Sequence, residues 1–463
     1  MPLVAGVDSS TQSVKVVIRD AQTGTLAREG RAPHPPGTEV DPEKWWIALQ
    51  EAIKAAGGLE GVAAISIAGQ QHGMILLDAA GKVLRPALLW NDTRSAEQAS
   101  WINKEFVDIA ERSGSSLVAS FTASKVRWVA EHEPAIADQV AAICLPHDWL
   151  SWRLSGSEDI NEISSDRSDA SGTGYFNPVT SQYDREILEK VFGKKQNLTL
   201  PKIVSSQRFA TSTKSGIGIG AGAGDNAGAA FGLQAEPGDL IISLGTSGTA
   251  FAISESSTHD STGHVAGFAD LSGKFLPLVC TLNAARILDA ATQILGCTHE
   301  ELGELALQSE PGARGLSLLP YFEGERTPNR PTATGVLSGI TLENSQPRFI
   351  ARAYIEGMLC GLVDASHSLI ERGVKVERVL LIGGAAKNNA VAQIASSLFG
   401  REIFIPPAGE YVADGAARQA AWALLGGAHA PKWNLGEVKK IGAPPTPEVL
   451  VRYRKLKDKT TSW

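Results

Sequence analysis

Asp225 lies in the run Gly220-Ala221-Gly222-Ala223-Gly224-Asp225-Asn226-Ala227-Gly228, one carboxylate among glycines and alanines. Small neighbours clear space for a substrate and leave the carboxylate few side-chain partners. Helix formers follow, which puts Asp225 at a helix N-terminus. There the dipole favours the ionised form and equips it to accept a proton or a hydrogen bond. The same position suits a plain helix cap, a common use of Asp. Read locally, both jobs fit.

The turn Asp8-Ser9-Ser10-Thr11-Gln12-Ser13 separates two apolar runs. Small hydroxyl residues in a tight turn expose backbone N–H groups and add donors, which a polyphosphate needs. A carboxylate at the strand end, Asp8, can hold Mg²⁺ through water. Such turns are also common simply because these residues make good turns, and no P-loop signature occurs in the chain. The turn Gly245-Thr246-Ser247-Gly248 repeats the chemistry in the second half. Two such turns suggest a nucleotide gripped in a cleft between two domains. A third piece, Ile382-Gly383-Gly384-Ala385-Ala386-Lys387-Asn388, ends a strand in small residues before a helix. Gly384, Ala385 and Asn388 would let a flat ring or ribose lie close to the backbone, although an ordinary strand-to-helix turn reads the same way. Finally, Gly69-Gln70-Gln71-His72-Gly73 and Trp90-Asn91-Asp92-Thr93-Arg94 offer a dense set of donors and acceptors. A polyol needs one, because each hydroxyl left unpaired in a closed site is costly. Gln71, His72 and Asn226 are the candidate sugar contacts, with Trp90 an apolar wall. A lone His beside a strand end is also a common structural residue.

Elements must position these groups. Leu3 to Asp20 reads as strand, polar turn, strand, and Leu240 to Ser254 does the same. One architectural idea used twice predicts two domains in 463 residues, 1–237 and 238–463. Asp41-Pro42 marks a helix start, and a strand follows at Val62 to Ile67. Helices are predicted at Ser95 to Arg112, Ala123 to Glu131, Asn283 to Leu295, His299 to Leu307 and Pro347 to Arg372. Val379 to Ile382 and Ile403 to Ile405 read as strands, with the helix Val412 to Leu425 completing the second domain. The basic stretch Pro447 to Lys457 reads as a last helix that could pack back on the first domain. Mixed strands and helices in both halves predict an α/β fold.

Composition narrows the classes. The formal net charge of −7 comes without any Lys/Arg run long enough for a nucleic-acid patch. No apolar stretch approaches transmembrane length, and Pro2-Leu3-Val4-Ala5-Gly6 lacks the features of a secretory leader. A cytoplasmic protein with a small-molecule partner is expected. Cys144, Cys280, Cys297 and Cys360 form no C-x-x-C pair and read as reduced thiols.

Taken in order, these pieces resemble the FGGY carbohydrate kinases of the actin/hexokinase-like superfamily, and within it the xylulokinases. The carrying motifs are Val7-Asp8-Ser9-Ser10-Thr11, Gly69-Gln70-Gln71-His72-Gly73, Leu89-Trp90-Asn91-Asp92-Thr93-Arg94 and Asp169-Ala170-Ser171-Gly172-Thr173. Gly224-Asp225-Asn226-Ala227, Gly245-Thr246-Ser247-Gly248, Gly324-Glu325-Arg326-Thr327-Pro328 and Ile382-Gly383-Gly384-Ala385 continue the series. The resemblance implies two RNase-H-like domains flanking a nucleotide and substrate cleft, with ATP mainly on the second domain and sugar mainly on the first. It implies Asp225 as catalytic base, Asp8 near phosphates and Mg²⁺, and Gln71 and His72 on a ketose. Ser10 and Thr11, with Gly245, Thr246, Gly384, Ala385 and Asn388, would meet ATP. A homodimer is the family-level expectation. Two departures stand out: Ser10 replaces the usual Gly of the first turn, and Gln71 replaces the usual Met before the His. The expected reaction is ATP-dependent phosphorylation of D-xylulose to D-xylulose 5-phosphate. Alternatives are a kinase for ribulose, gluconate or glycerol, or an actin-like nucleotide switch that phosphorylates nothing.

Overall fold

The hairpin at the start of the chain forms as its pattern dictates. In a computed structural model, which describes residues 2–193 and 197–461, Leu3–Ser9 pairs antiparallel with Ser13–Asp20 and sets Asp8 opposite Lys15. Leu26–Pro33 adds a third antiparallel strand. On the other side of Leu3–Ser9, Val62–Gly69 runs parallel, and Gly218–Gly220 runs parallel to that. The second half repeats this order. Asp239–Leu244 pairs antiparallel with Gly248–Ala252, which pairs with Phe275–Thr281. Arg378–Ile382 lies parallel to Asp239–Leu244, and Ile403–Ile405 parallel beyond it. Antiparallel neighbours need only a tight turn, whereas each parallel neighbour needs a crossover. The helices Pro42–Ala55 and Pro347–Glu371 lie in those crossovers. Asp41 caps the former by accepting from Glu43 N, as its sequence predicts.

The chain divides into two compact units. One comprises Met1–Ala235, Glu255–Leu276 and Gly409–Asn434; the other comprises Glu236–Ser254, Pro277–Ala408 and Leu435–Trp463. In place of one boundary at 237/238, the chain passes between units after Ala235, Ser254, Leu276, Ala408 and Asn434. The helix Tyr411–Leu425, read as completing the second domain, belongs to the first unit. Its face of Ala413, Ala417, Ala420 and Ala421 packs on Val4, Val17 and Ala64. Helix Pro42–Ala55 covers the opposite face of the sheet through Trp45, Leu49 and Ile53. Covered on both faces, Leu3–Ser9 is buried at every position but the first, which is why it reads as a continuous apolar run and not an alternating one.

The last helix, Pro447–Lys459, also departs from expectation. It packs within the second unit, on Pro347–Glu371. Tyr453 is buried there, and Arg454 Nε and Lys457 Nζ each stand 2.6 Å from the Asp364 carboxylate. The expected helix Ser95 to Arg112 is two helices, Ala96–Glu105 and Ile109–Ser113. Phe106 leaves the helical region (φ −114°, ψ 85°) to bury its ring, and Val107 is left exposed. Cys144, Cys297 and Cys360 stand outside any disulfide. No helix among the described residues is long and apolar enough to cross a membrane.

Candidate functional site

In the first unit, strand Val62–Gly69 delivers the segment Gln70-Gln71-His72 at its C-terminal end. Gln71 Nε2 donates to the Ser168 carbonyl at 3.3 Å. His72 Nδ1 lies 2.6 Å from the Gly172 carbonyl, which makes Nδ1 the donor. The imidazole packs beside Phe121 and Phe268, at centroid distances of 4.8 and 5.6 Å. Ser168 Oγ in turn accepts from Gly224 N at 3.1 Å. Gly224 approaches so closely that a Cβ there would stand 2.8 Å from Gln71 Nε2. One short segment, 168–172, thus holds Gln71, His72 and the residue before Asp225 together. Asp166 stiffens it by accepting from the N–H groups of Ser168 and Asp169.

Asp225 opens the helix Asp225–Gly232, with Gly224 as the cap. Its Oδ1 accepts from Asn226 N at 2.7 Å and from Asn226 Nδ2 at 2.8 Å. Asp225 and Asn226 both remain partly exposed. The helix dipole, expected to keep Asp225 ionised, is opposed here. Burial, and then the charge of Asp8, outweigh the Asn226 donors and push its carboxyl up to about 7. Desolvation penalises the charged form more than one helix turn favours it.

At the end of the first strand Asp8 is buried and accepts from Ser10 Oγ, with Lys15 Nζ 3.5 Å from Oδ2. Burial raises its carboxyl and Lys15 opposes that rise. Lys15 is shared with Glu410 at 2.6 Å. Ser10, expected to offer a donor to phosphate, spends its hydroxyl on Asp8 and its N–H on the Ser13 carbonyl. Trp90 Nε1 donates to Thr11 Oγ1 at 2.8 Å. The expected apolar wall and the expected phosphate contact therefore touch each other. Asp92 accepts from Thr38 and Arg94. Burial works to raise its carboxyl, yet these donors outweigh it and hold Asp92 low.

In the second unit, Gly245 and Thr246 are exposed at the hairpin turn, and their carbonyls accept from Ala285 N and Ala284 N. Gly383 has φ +96°, and a Cβ there would meet Leu244 O at 2.5 Å. Only glycine fits both demands. Next to it Gly384 is exposed with nothing within 4 Å of a Cβ, and Ala385 is half-buried. Asn388, like Ser10 among the expected nucleotide contacts, is engaged within the protein. Its side chain caps the helix Asn389–Phe399, accepting from Ala390 N at 2.9 Å, and donates to His299 O at 2.7 Å. Glu325, in the motif Gly324-Glu325-Arg326-Thr327-Pro328, ties the backbone together by accepting from Leu282 N and Arg326 N.

Beside these residues lie three fully buried groups to which sequence reading assigned no role: Ser168, Lys125 and the trio His147, Asp148 and Asp169, of which only Asp169 stands in a family motif. The trio has ligand atoms within 4.8 Å of one another. His147 Nδ1 lies 2.6 Å from Asp169 Oδ2. Burial would lower the imidazole, but Asp148 and Asp169 push it up to about 10. Both carboxylates lie against the His147 ring, Asp148 Oδ1 at 3.2 Å and Asp169 Oδ2 at 2.6 Å, so the trio pairs internally. The Asp8 and Asp225 carboxylates fit a cation better. Asp8 is buried and Asp225 partly exposed, and the charge of Asp8 disfavours ionisation of Asp225. A divalent ion would reverse that penalty.

A repeated hairpin-led α/β unit, with the Asp8 and Asp225 carboxylates beside a set of polyol-type donors and acceptors, defines a phosphotransferase that acts on a hydroxylated small molecule. The chain belongs to the FGGY family of carbohydrate kinases: the family's N-terminal domain matches residues 3–232 and its C-terminal domain residues 240–424. It is 43% identical over 453 residues to a xylulose kinase of Streptomyces coelicolor, covering 94% of this chain and 91% of that protein. Identity to a xylulose kinase of Escherichia coli K12 is 34% over 440 residues, 90% of this chain and 89% of that one. The crystal structure of xylulose kinase from Bifidobacterium adolescentis matches with a TM-score of 0.91 at 44% identity, over 98% of this chain and 99% of that one.

Proposed function

We propose that this kinase transfers the γ-phosphoryl group of ATP to the terminal hydroxyl of D-xylulose, giving D-xylulose 5-phosphate and ADP. The observation that carries the reading is the gathering of Gln71, His72 and the Asp225 loop on the segment 168–172. It puts a carboxylate of near-neutral pKa beside a donor and acceptor set suited to a polyol. The full-length xylulose kinase relatives support the choice of sugar.

In this mechanism Asp225, in its ionised form, accepts the proton of the attacking hydroxyl. The sugar oxygen bonds to the γ-phosphorus, the bond to the bridging oxygen breaks, and ADP leaves. Asn226 holds one oxygen of Asp225 and leaves the other for the substrate. His72 Nε2 and Gln71 read neighbouring hydroxyls. Because indole only donates, Thr11 Oγ1 is the acceptor in its bond with Trp90, and its own proton is available to a phosphate oxygen. The exposed turns at Gly245-Thr246 and Gly384-Ala385 serve the nucleotide. A Mg²⁺ ion arriving with ATP would be held through water by Asp8 and would neutralise charge on the phosphates. Positioning and electrostatics supply most of the acceleration, since the transition state of phosphoryl transfer is loose. The reading carries with it a cytoplasmic location and a homodimer, both at family level.

Coupled ADP release with Mg-ATP and a panel of D-xylulose, ribulose, gluconate and glycerol tests the assignment. D-xylulose is expected to give the highest kcat/KM. A higher value with another member would replace the substrate, and ADP release indifferent to every sugar would overturn the reaction.

A further inference from the structure

Lys125 is fully buried in the first turn of the helix Thr122–His132. Both circumstances work against a cation. Burial pushes its ammonium well below the ordinary lysine value, with Asp92 opposing. The N-terminal end of a helix also disfavours positive charge. A long side chain placed at such cost needs a local return, and its contacts name one. Nζ donates to the carbonyl of His72 at 2.8 Å and to that of Ser120 at 2.5 Å. Thr122 Oγ1 donates to the same His72 carbonyl at 3.1 Å.

His72 is unusual in its own right. Its φ is +66°, in the left-handed region that non-glycine residues rarely occupy. The surrounding structure has to hold such a residue in place, and one helix does so from three positions. Phe121, which caps the helix, packs on the imidazole, and Thr122 and Lys125 grip the carbonyl. On the opposite side Gly172 fixes the ring tautomer with Nε2 as acceptor.

We propose that Lys125, acting with Thr122, is a positioning residue for the sugar: it clamps the His72 backbone and so fixes where the His72 imidazole meets a substrate hydroxyl. The proposal rests on reading His72 as a sugar contact, and the test separates the two. KM for D-xylulose and KM for ATP are measured for wild type, K125M, T122V, H72A and the double variants H72A/K125M and H72A/T122V. K125M is expected to raise the sugar KM about ten-fold and to leave the ATP KM within about two-fold, the scale of leaving one buried carbonyl without its donor. T122V should move the sugar KM the same way by less. In the H72A background neither substitution should raise it further, because residues acting through one partner are not additive.

A sugar KM unchanged in H72A would overturn the role of His72, and the proposal with it. A raised KM in H72A with none in K125M and T122V would overturn the Lys125 proposal alone. So would full additivity, or an equal rise in both KM values, since a general packing defect predicts either. Should K125M fail to fold, T122V and its double variant decide the question by the same criteria.

Discussion

Asp225 carries the chemistry through its surroundings more than through its identity. A general base works best with a pKa near the working pH, and burial together with Asp8 brings Asp225 to about 7. The base must be ionised to act, so kcat/KM for the sugar should fall as pH drops below about 7, with unit slope. A profile flat between pH 5 and 8 would remove Asp225 as the titrating group. The variant D225N keeps the shape and loses the base. Its kcat should fall by about 10²–10⁴-fold, the usual worth of general-base help, while ATP KM stays near the wild-type value in the same coupled assay. Gln71 belongs to this scale too. Its amide is engaged by Ser168 and lies against Gly224, so a residue read as a departure in the sugar motif also shapes the approach to Asp225.

At the scale of elements, the helix that begins at Asp225 is mounted on Tyr411–Leu425 by close backbone contact. A Cβ on Gly415 would stand 1.9 Å from Gly228 O, and one on Gly232 would stand 2.1 Å from Tyr411 O. No rotamer relieves a clash with backbone, so the two helices must separate to admit a methyl group. G415A should cost ~1–3 kcal/mol, the usual penalty for overpacking, read as a lower urea midpoint at unchanged m-value. A midpoint equal to wild type would mean the helices are free to move apart. The same mounting explains why Tyr411–Leu425 sits in the first unit: its small residues suit a contact with Asp225–Gly232 and Leu3–Ser9 that larger side chains would prevent.

Across the whole molecule, buried titratable groups set how stability depends on pH. His147 is raised from an unfolded value near 6.5 to about 10. The folded state therefore holds its proton more tightly, and this contribution is fully present below about pH 6.5 and lost as pH rises through 10. Asp148, raised from 3.8 to about 7 by burial, has the same sign in a lower window that is spent by about pH 7. Buried Cys144 and Cys360, raised well above the ordinary thiol value by desolvation, share it at the upper end. Lys125, lowered by burial, runs the other way. The balance predicts a Tm that falls steadily from pH 6.5 to 9.5 at constant ionic strength. A Tm that rises over that range in scanning fluorimetry would refute the assignment of a buried imidazolium to His147.

Much of this protein is written in local sequence. Both hairpins, the helix cap at Asp41, and the helix His299–Leu307 follow from patterns a few residues long. The hydroxyl-rich and glycine-rich turns also mark themselves, because their chemistry needs particular residue types next to one another. Other features are decided only when distant segments meet. The helix Tyr411–Leu425 reads as part of the second half, and nothing in its own residues says that its alanine face packs on Val4, Val17 and Ala64. Ser168, Lys125 and His147 carry no local signal, since a Ser, a Lys and a His have many ordinary uses. Asp225 lies between these cases. Its neighbours announce an open, small-residue setting and a helix start. Its shift to about 7 arises from burial and from Asp8, more than two hundred positions away in the chain. A residue's type and its immediate turn are local properties, whereas its desolvation and its field are sums over everything packed around it.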